Sequence, residues 1–205
     1  MPESESAFAS LQFLTSVGRL EQLPPESLPE LAFAGRSNVG KSSALNALAR
    51  RRRLAFFSRT PGRTQTINFF ELGGRGRLVD LPGYGYARAP RAQRAEWDQL
   101  VGGYLADRRV LAGVVVLMDA RRPFMPLDEL LLEWLRPAER RLLVLLSKAD
   151  KLSRQDRAAQ LRESQTKLAS HDPEARILLF SSTSGEGVED ARALLESWLR
   201  AARAE

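Results

Sequence analysis

A group of glycine, basic and hydroxyl residues early in the chain has the composition and spacing of a phosphate-binding loop. An apolar run at residues 31–34 precedes it, and residues 43–48 after it have helical spacing. The loop, called the P-loop below, consists of Gly35, Arg36, Ser37, Asn38, Val39, Gly40, Lys41 and Ser42. Its backbone N–H groups and the start of the helix would face an anion. This arrangement predicts that Lys41 lies between the β- and γ-phosphates of a nucleotide, and that Ser42 gives an oxygen to Mg²⁺.

A second group of residues that could contact a metal and a phosphate follows about forty residues later in the chain. It consists of Asp80, Leu81, Pro82 and Gly83. An aspartate at the end of a strand can hold Mg²⁺ through a water molecule, and the N–H of Gly83 can contact a γ-phosphate. This pattern alone is common in turns, but its distance from the P-loop favours a nucleotide site.

The segment between these two groups carries hydroxyl residues that could complete a metal site. It contains Gly62, Arg63, Thr64, Gln65 and Thr66. A hydroxyl from such a loop can join the Mg²⁺ ligands when a γ-phosphate is present, so the loop would order with a triphosphate and relax after hydrolysis. We assign the ligand to Thr64, with Thr66 as the alternative. Arg63 could stabilise the transition state, although an exposed loop arginine is more often only solvated.

Two later strand ends carry residues suited to recognising a guanine base. The first group is Ser147, Lys148, Ala149 and Asp150, and the second is Phe180, Ser181 and Ser182. The Asp150 carboxylate can accept hydrogen bonds from N1–H and the exocyclic amine of guanine, so discrimination against ATP could reach about 10⁴-fold. The stem of Lys148 would lie along the base, and backbone N–H groups in the second group could reach guanine O6. Together the groups predict a guanine-nucleotide site.

The elements that would position these groups follow from alternating apolar runs and amphipathic stretches. Strands are expected at residues 31–34, 67–72, 77–80, 111–118, 141–146 and 177–180, and helices at 41–50, 91–107, 126–136, 153–169 and 187–202. This alternation predicts an α/β fold with a mostly parallel six-stranded sheet and helices on both faces. Residues 1–29 are expected to form an arm with one short helix that packs on the nucleotide-binding domain, residues 30–205.

The composition limits the remaining functional classes. The 205-residue chain has no cysteine, which excludes thiol chemistry, and its single histidine, His171, lies in a polar turn. No run approaches the roughly 20 apolar residues of a membrane span, so we expect a cytoplasmic protein. The net charge of +6 weakly favours an anionic partner. Trp97, Trp134 and Trp198 fall on apolar helix faces and are expected to pack in the core.

Four segments resemble the EngB (YihA/YsxC) family of bacterial P-loop GTPases, and the similarity extends over residues 33–198. The segments are residues 33–43, 61–66, 80–87 and 119–122, and the most specific is the GYGYA sequence at 83–87. The resemblance implies a Ras-like G domain that binds GTP or GDP with Mg²⁺ and hydrolyses GTP. It also implies a role in assembling the large ribosomal subunit and a requirement for normal cell division and septation. We expect a monomer.

Two residues depart from common GTPase patterns. Ser147 stands where the guanine motif usually has Thr or Asn, so we expect a modestly weaker tether to the P-loop with guanine preference kept. Tyr84 stands where Ras-like enzymes place a glutamine that orients the attacking water. By analogy with Era- and EngA-type GTPases, Asn38 could help to bind an activating K⁺ near the phosphates. Intrinsic hydrolysis is expected to be slow, about 10⁻⁴–10⁻² s⁻¹.

Two questions have alternative answers: what the groups of arginines contact, and whether the protein hydrolyses its nucleotide. The four arginines at residues 50–53 could pair with a helix end and solvent, or contact ribosomal RNA phosphates. Arg88, Arg91 and Arg94 form a second basic group beside residues 80–87. The main interpretation is a GTP-driven switch in ribosome assembly. The alternatives are a guanine-nucleotide sensor that binds the ribosome without significant turnover, and a P-loop ATPase or kinase, which the Asp150 group disfavours.

Overall fold

The structure is a computed structural model that describes residues 7–51, 66–85, 91–136 and 140–204, with only the backbone of residue 7 and residues 91–94. Seven strands lie in this part of the chain: β1 (Leu11–Val17), β2 (Glu30–Gly35), β3 (Ile67–Leu72), β4 (Arg77–Asp80), β5 (Leu111–Asp119), β6 (Arg141–Ser147) and β7 (Arg176–Leu179). The α-helices of the same part are α1 (Lys41–Leu48), α2 (Arg91–Asp107), α3 (Pro126–Leu135), α4 (Arg154–His171) and α5 (Val188–Ala201).

All seven strands form one sheet in the order β1-β3-β4-β2-β5-β6-β7. The five strands from β4 to β7 in this order are mutually parallel, whereas β3 runs antiparallel to both β4 and β1. The predicted α/β fold with a mostly parallel sheet is therefore confirmed. The predicted number of six strands is wrong, because the sheet has one more strand at its β3 edge.

The additional strand, β1, lies inside the segment that we expected to be an arm with one short helix. Short 3-10 helices flank it at Ala7–Ser10 and Leu20–Gln22. Only the end residues of the strand, Leu11 and Val17, are buried, and its register shifts between Phe13 and Thr15. The regular alternation that identifies a half-buried strand is therefore missing from its sequence.

Helices cover both faces of the sheet and create two apolar layers. On one face α1 and α5 contribute residues such as Leu45 and Leu195, and on the other α2, α3 and α4 contribute residues such as Tyr104, Leu131 and Leu168. Because both faces are covered, β5 and β6 can be apolar at nearly every position. No helix in the described ranges is long and apolar enough to cross a lipid bilayer.

The three tryptophans differ in their environment. Trp198 is buried and lies against β5, where its ring fills the space beside Gly113. Trp97 is half-buried and packs against the core, but Trp134 remains 45% exposed. The prediction of a core position is therefore wrong for Trp134, which lies at the rim between α2 and α3.

The fold brings the predicted groups to one edge of the sheet. Strands β2, β4, β5 and β6 end at Gly35, Asp80, Asp119 and Ser147, and Phe180 follows the last residue of β7. The carboxyl ends of parallel strands meet at the same edge, where open α/β sheets bind their ligands. The P-loop connects β2 to α1 at the middle of this edge.

Candidate functional site

The P-loop turns sharply into α1 at Gly40. This residue has a φ of 108°, a left-handed conformation that a residue with a side chain rarely adopts. Gly40 is also the residue that precedes the helix, and it carries no side chain that could cap the first-turn N–H groups. The first-turn N–H groups beside Lys41 and Ser42 are therefore not capped by this residue, and an uncapped helix start is suited to binding an anion.

Lys41 and Asp80 influence one another where α1 begins. Burial lowers the pKa of the Lys41 ammonium, and the charge of Asp80 opposes this change. Burial also raises the pKa of the Asp80 carboxyl, while Lys41 and a hydrogen bond with Asn68 lower it. Asn68 is the residue opposite Asp80 in the β3–β4 pair. The arrangement brings one cation and one carboxylate to the place where phosphates and a metal were predicted.

The residues after Asp80 lie directly against the P-loop. A Cβ atom added to Gly83 would be 3.2 Å from the Nζ of Lys41 and 3.2 Å from the backbone N of Ser37. The N–H of Ser37 donates a hydrogen bond of 2.8 Å to the carbonyl of Tyr84. A side chain at position 83 would therefore require Lys41 or the backbone of Ser37 to shift by a few tenths of an ångström. Residues 83–84 are in direct contact with the P-loop.

The donor set at this edge fits a magnesium ion. One carboxylate oxygen of Asp80, Oδ1, is buried and has no hydrogen-bond partner among the described residues. Mg²⁺ prefers oxygen ligands, and the hydroxyl of Ser42 is next to Lys41 in the first turn of α1. Thr66 directly precedes β3, and its hydroxyl lies 3.3 Å from Oδ1 of Asn68. Gly62, Arg63, Thr64 and Gln65 lie outside the described residues.

Asp150 lies on a short 3-10 helix, Ala149–Lys151, at the end of β6. Its Oδ1 accepts a hydrogen bond of 2.6 Å from the Ser181 hydroxyl, and its Oδ2 lies 3.4 Å from the Nζ of Lys151. The Ser181 hydrogen bond and the nearby Lys151 lower the pKa of the Asp150 carboxyl. The group is therefore an ionised hydrogen-bond acceptor at neutral pH, as recognition of guanine N–H groups requires.

Ser181 has a different role from the one predicted for its backbone. Its N–H donates to the carbonyl of Glu186 at 2.9 Å, so it is already in use within the chain. Its buried hydroxyl donates to Asp150 and accepts from the N–H groups of Thr183 and Ser184. Ser181 thus fixes the position of the Asp150 carboxylate. The contact of Ser182 with guanine O6 stays a prediction.

Lys148 connects the base side of the site to the P-loop. Its ammonium donates to the carbonyl of Asn38 at 2.9 Å and to Oδ2 of Asp119 at 3.1 Å. The same carboxylate receives two hydrogen bonds from the Arg121 guanidinium, at 2.9 and 2.7 Å. These hydrogen bonds, chiefly those from Arg121, hold the pKa of the Asp119 carboxyl well below its usual range.

Sequence reasoning included Asp119 in a family-like segment but gave it no role. A signal existed, because the residue ends β5 and its partner across the sheet is Ser147, one residue before Lys148. Neighbouring positions at the carboxyl ends of adjacent parallel strands can share a contact. This register is a property of the assembled sheet, and the sequence alone does not give it.

Replacing Asp119 with asparagine is expected to weaken GDP binding about 10-fold. The isosteric amide removes the charge that orients Lys148, and a hydrogen bond between charged groups contributes roughly 1.5–3 kcal/mol. Isothermal titration calorimetry measures the change. The Arg121→Gln variant is the control, because Arg121 is half exposed and its loss should change the affinity less than about threefold. Unchanged affinity in the Asp119 variant would remove its positioning role.

Ser147 ties the end of β6 to the P-loop. Its buried hydroxyl lies 2.8 Å from the carbonyl of Val39 and 3.1 Å from that of Met118. A hydroxyl has only one proton, so the two carbonyls share a single donor. The contact that we expected between this position and the P-loop is therefore present with serine.

The Ser147→Ala variant is expected to release GDP about 10-fold faster than the native chain. The substitution leaves a buried carbonyl of the P-loop without its donor, which costs roughly 1–3 kcal/mol. The Ser147→Thr variant keeps the hydroxyl and restricts its rotamer, so its release rate should equal the native one or be up to about threefold slower. Stopped-flow release of a fluorescent GDP measures both rates. Equal release rates for the alanine and threonine variants would contradict a role of the Ser147 hydroxyl in holding the P-loop.

Tyr84 is turned away from the phosphate side. Its hydroxyl donates a buried hydrogen bond of 2.8 Å to Oδ1 of Asp128, at the start of α3. Burial, together with the nearby Asp128 carboxylate, raises the pKa of this hydroxyl. The side chain therefore serves packing between β4 and α3 and does not present a group that could orient a water molecule.

The described members of the arginine run at residues 50–53 make contacts within the chain. Arg50 pairs with Glu189 on α5 at 3.2 Å, and both side chains are exposed. Arg51 donates to the carbonyls of Leu11 and Ala9 and so fastens β1 to the end of α1. These contacts favour a structural role for the two residues. Residues 52, 53 and 88 lie outside the described ranges, and the side chains at 91 and 94 are not described.

Comparisons with known proteins agree with this geometry. Residues 30–148 match the model of a family described as "50S ribosome-binding GTPase". The chain is 53% identical to a "probable GTP-binding protein EngB" from Dechloromonas aromatica (strain RCB), over 94% of this chain and 88% of that protein. It is also 53% identical to the protein of the same name from Thiobacillus denitrificans (strain ATCC 25259 / T1), over 91% and 90%.

Solved structures share the fold at lower sequence identity. The crystal structure of a probable GTP-binding protein EngB matches with a TM-score of 0.66 and 22% identity, over 83% of this chain and 98% of that one. Era in complex with MgGDPNP and nucleotides 1506–1542 of 16S ribosomal RNA matches with a TM-score of 0.64 and 18% identity, over 84% and 57%. The fold is that of a P-loop GTPase domain, and the chain belongs to the EngB family of GTP-binding proteins.

Proposed function

We propose that the protein is a GTP-dependent switch that hydrolyses GTP slowly and acts in the assembly of the large ribosomal subunit. The main support is the direct connection between the two halves of the candidate site. The ammonium of Lys148 and the hydroxyl of Ser147 both bond to carbonyls of the P-loop, while Asp150 lies on the same strand end. Base recognition and phosphate binding would therefore occur on one continuous surface.

In this proposal each half of the site binds one part of the nucleotide. The first-turn N–H groups of α1 and the Lys41 ammonium bind the phosphates. The Asp150 carboxylate accepts from the guanine N–H groups, and the N–H of Ser182 approaches O6. Bound Mg²⁺ would neutralise charge on the β- and γ-phosphates. Ser42 and Asp80 would hold the ion, together with Thr64 or Thr66.

Slow turnover is proposed because the described residues offer no group in the place of the Ras glutamine. The hydroxyl of Tyr84, which stands at that position, is bonded to Asp128 inside the protein. The same observation favours a second candidate function, a guanine-nucleotide sensor that binds the ribosome without significant turnover. Asn38 remains the proposed contact for an activating K⁺, since its side chain is exposed at the rim of the P-loop.

The ribosomal partner is proposed from the matched family and its relatives. The family model carries ribosome binding in its description, and Era, which has the same fold, was crystallised with a ribosomal RNA fragment. We extend this to a monomer that works in the cytoplasm, binds the large subunit or its precursor, and is needed for normal cell division and septation.

The function is tested by co-sedimentation with purified large subunits in GDP and in a non-hydrolysable GTP analogue. We expect at least severalfold more bound protein with the analogue, because a triphosphate would hold the segments around Asp80 and Thr64 in one arrangement. Equal binding in both nucleotides would contradict a switch. No binding in either would contradict the ribosomal partner.

Single-turnover hydrolysis separates the switch from the sensor and tests the role of Asn38. The switch predicts that subunits or K⁺ raise the rate above the intrinsic level of about 10⁻⁴–10⁻² s⁻¹. Hydrolysis that subunits and K⁺ leave unchanged would favour the sensor. Equal rates in K⁺ and Na⁺ for both the native chain and the Asn38→Ala variant would remove the proposed potassium contact.

A further inference from the structure

We propose that an exposed apolar surface on α3 docks a protein segment that carries apolar and basic side chains. This surface, called the α3 stripe, consists of Leu127, Leu130 and Trp134. The inference rests on the proposed function and deepens it, because the segment would belong to a protein of the large ribosomal particle. Ribosomal RNA is not expected to bind at the α3 stripe.

The α3 stripe is apolar without serving the core. Leu127, Leu130 and Trp134 are 43%, 50% and 45% exposed, and their spacing places them on one face of the helix. The core face of the same helix adjoins the stripe and is already buried through Leu131, Leu132 and Leu135. Large apolar side chains that remain exposed together on a helix mark an interaction site more often than isolated ones do.

The α3 stripe is in contact with the residues that follow Asp80. The Trp134 ring stacks on the ring of Trp97, with centroids 6.2 Å apart, and the indole N–H of Trp97 donates to the carbonyl of Pro82 at 2.8 Å. At the other end of the stripe, a Cβ on Gly85 would lie 3.3 Å from Leu127. A change at residues 82–85 would therefore alter the surface that a partner meets.

Tyr84 adds a second connection between these parts. Its ring contacts Trp97 edge to face with centroids 6.0 Å apart, and its hydroxyl bonds to Asp128 on α3. Its carbonyl accepts from Ser37 in the P-loop. Trp134 of the α3 stripe is thus linked to Ser37 of the P-loop through two intervening residues, Trp97 and Tyr84.

Charge around the α3 stripe selects the chemistry of its partner. Residues 95–107 of α2 and all of α3 contain six acidic residues and no lysine or arginine, in a chain whose net charge is +6. The six are Glu96, Asp98, Asp107, Asp128, Glu129 and Glu133. Asp128 is buried and Glu129 pairs with Lys167, while Glu96, Asp98 and Glu133 are exposed.

Lys167 of α4 reaches α3, but its charge is paired with Glu129. Arg91 and Arg94 lie at the start of α2, before the acidic segment. Arg36 is beside Gly85 at one end of the α3 stripe, and Arg136 follows α3 at the other. An acidic border repels nucleic-acid phosphates, whose binding depends on lysine and arginine. It attracts a segment with its own lysines or arginines, and electrostatic complementarity of this kind sets partner choice. The observations therefore favour protein over RNA.

Site-specific crosslinking tests the occupant. A photoreactive phenylalanine analogue replaces Leu130 in the full chain, which is mixed with purified large subunits and the non-hydrolysable GTP analogue and then irradiated. We expect an adduct with a ribosomal protein that survives ribonuclease and is lost on protease treatment. With GDP the yield should fall severalfold. The same analogue at Leu14, which is 42% exposed on β1, is the matched control and should give no adduct.

The other outcomes overturn the inference in distinct ways. An adduct that carries nucleotides would identify RNA, and one with twice the mass of the chain would identify a second copy. Co-sedimentation without any adduct would show that the α3 stripe is not a contact. Absence of co-sedimentation would instead contradict the proposed function, and the ribosomal partner of the stripe with it.

A substitution gives an independent readout. The Leu130→Ser variant is expected to reduce co-sedimentation in the GTP analogue about 10-fold, because a leucine side chain that is buried at an interface contributes favourable free energy of binding. Its affinity for GDP, measured by calorimetry, should stay within twofold of the native value. Leu14→Ser is the matched control and should change neither quantity. Native co-sedimentation by the Leu130 variant would overturn the inference.

Discussion

The Asp150→Asn variant is expected to bind GDP about 10³-fold more weakly than the native chain and to prefer xanthosine diphosphate. The carboxylate can accept from both N–H groups of guanine, and a site built for such hydrogen bonds discriminates by roughly 10⁴-fold. Asparagine keeps one acceptor and gains an N–H donor. This donor fits the carbonyl that xanthine has in place of the guanine amine.

Competition titration of a fluorescent nucleotide with GDP, ADP and xanthosine diphosphate measures both effects. The Ser181→Ala variant is the matched control, because it removes the hydroxyl that positions Asp150 and leaves the carboxylate in place. We expect about 10-fold weaker GDP binding in this control with the preference for guanine unchanged. An Asp150 variant that still favours GDP over the xanthine nucleotide would contradict the role of the carboxylate.

The largest effect on stability is expected for Glu30→Ala, which should lower the free energy of unfolding by about 3–5 kcal/mol. Glu30 is fully buried at the start of β2, at the sheet edge opposite the candidate site. Its carboxylate accepts from Arg108 at 2.6 and 2.8 Å, from Arg77 at 3.3 Å and from the Tyr104 hydroxyl at 3.0 Å. Its removal leaves two buried guanidinium groups without this counter-ion.

Urea unfolding at a fixed GDP concentration measures the loss, since bound ligand adds to apparent stability. In a chain of this size the loss corresponds to a melting temperature lower by roughly 6–20 °C. Tyr104→Phe removes only one hydrogen bond to the same carboxylate and should cost about 1 kcal/mol. GDP affinity at low temperature should be native in both variants. A loss below about 1 kcal/mol for Glu30→Ala would show that the buried cluster does not stabilise the fold.

The part of the fold that could be predicted from sequence is the part with strong periodicity. The continuous apolar run of β5 and the glycine turn at Gly40 identify a strand and a loop without any partner. β1 could not be recognised in this way, because Phe13 and Leu14 in its middle are exposed. Its strand conformation is defined by its pairing with β3, which is distant in the sequence. Helical spacing likewise placed Trp134 on an apolar helix face, but it does not show whether another element covers the side chain.

The candidate site shows the same limit at the level of single contacts. The types of residue at the strand ends indicated a phosphate loop and a guanine-specific carboxylate. The connections that orient them, from Ser181 to Asp150 and from Asp119 to Lys148, join residues about 30 positions apart in the sequence. These contacts follow from which strands are neighbours in the sheet, so they become visible only when β5, β6 and β7 are placed side by side.

Calorimetric titration of the native chain with GDP in the presence of Mg²⁺ tests the central claim most directly. The account predicts saturable heat at one site per chain, with ADP giving no binding at the same concentrations. No heat from either GDP or GTP, or equal affinity for ADP, would contradict a guanine-nucleotide site at this edge of the sheet.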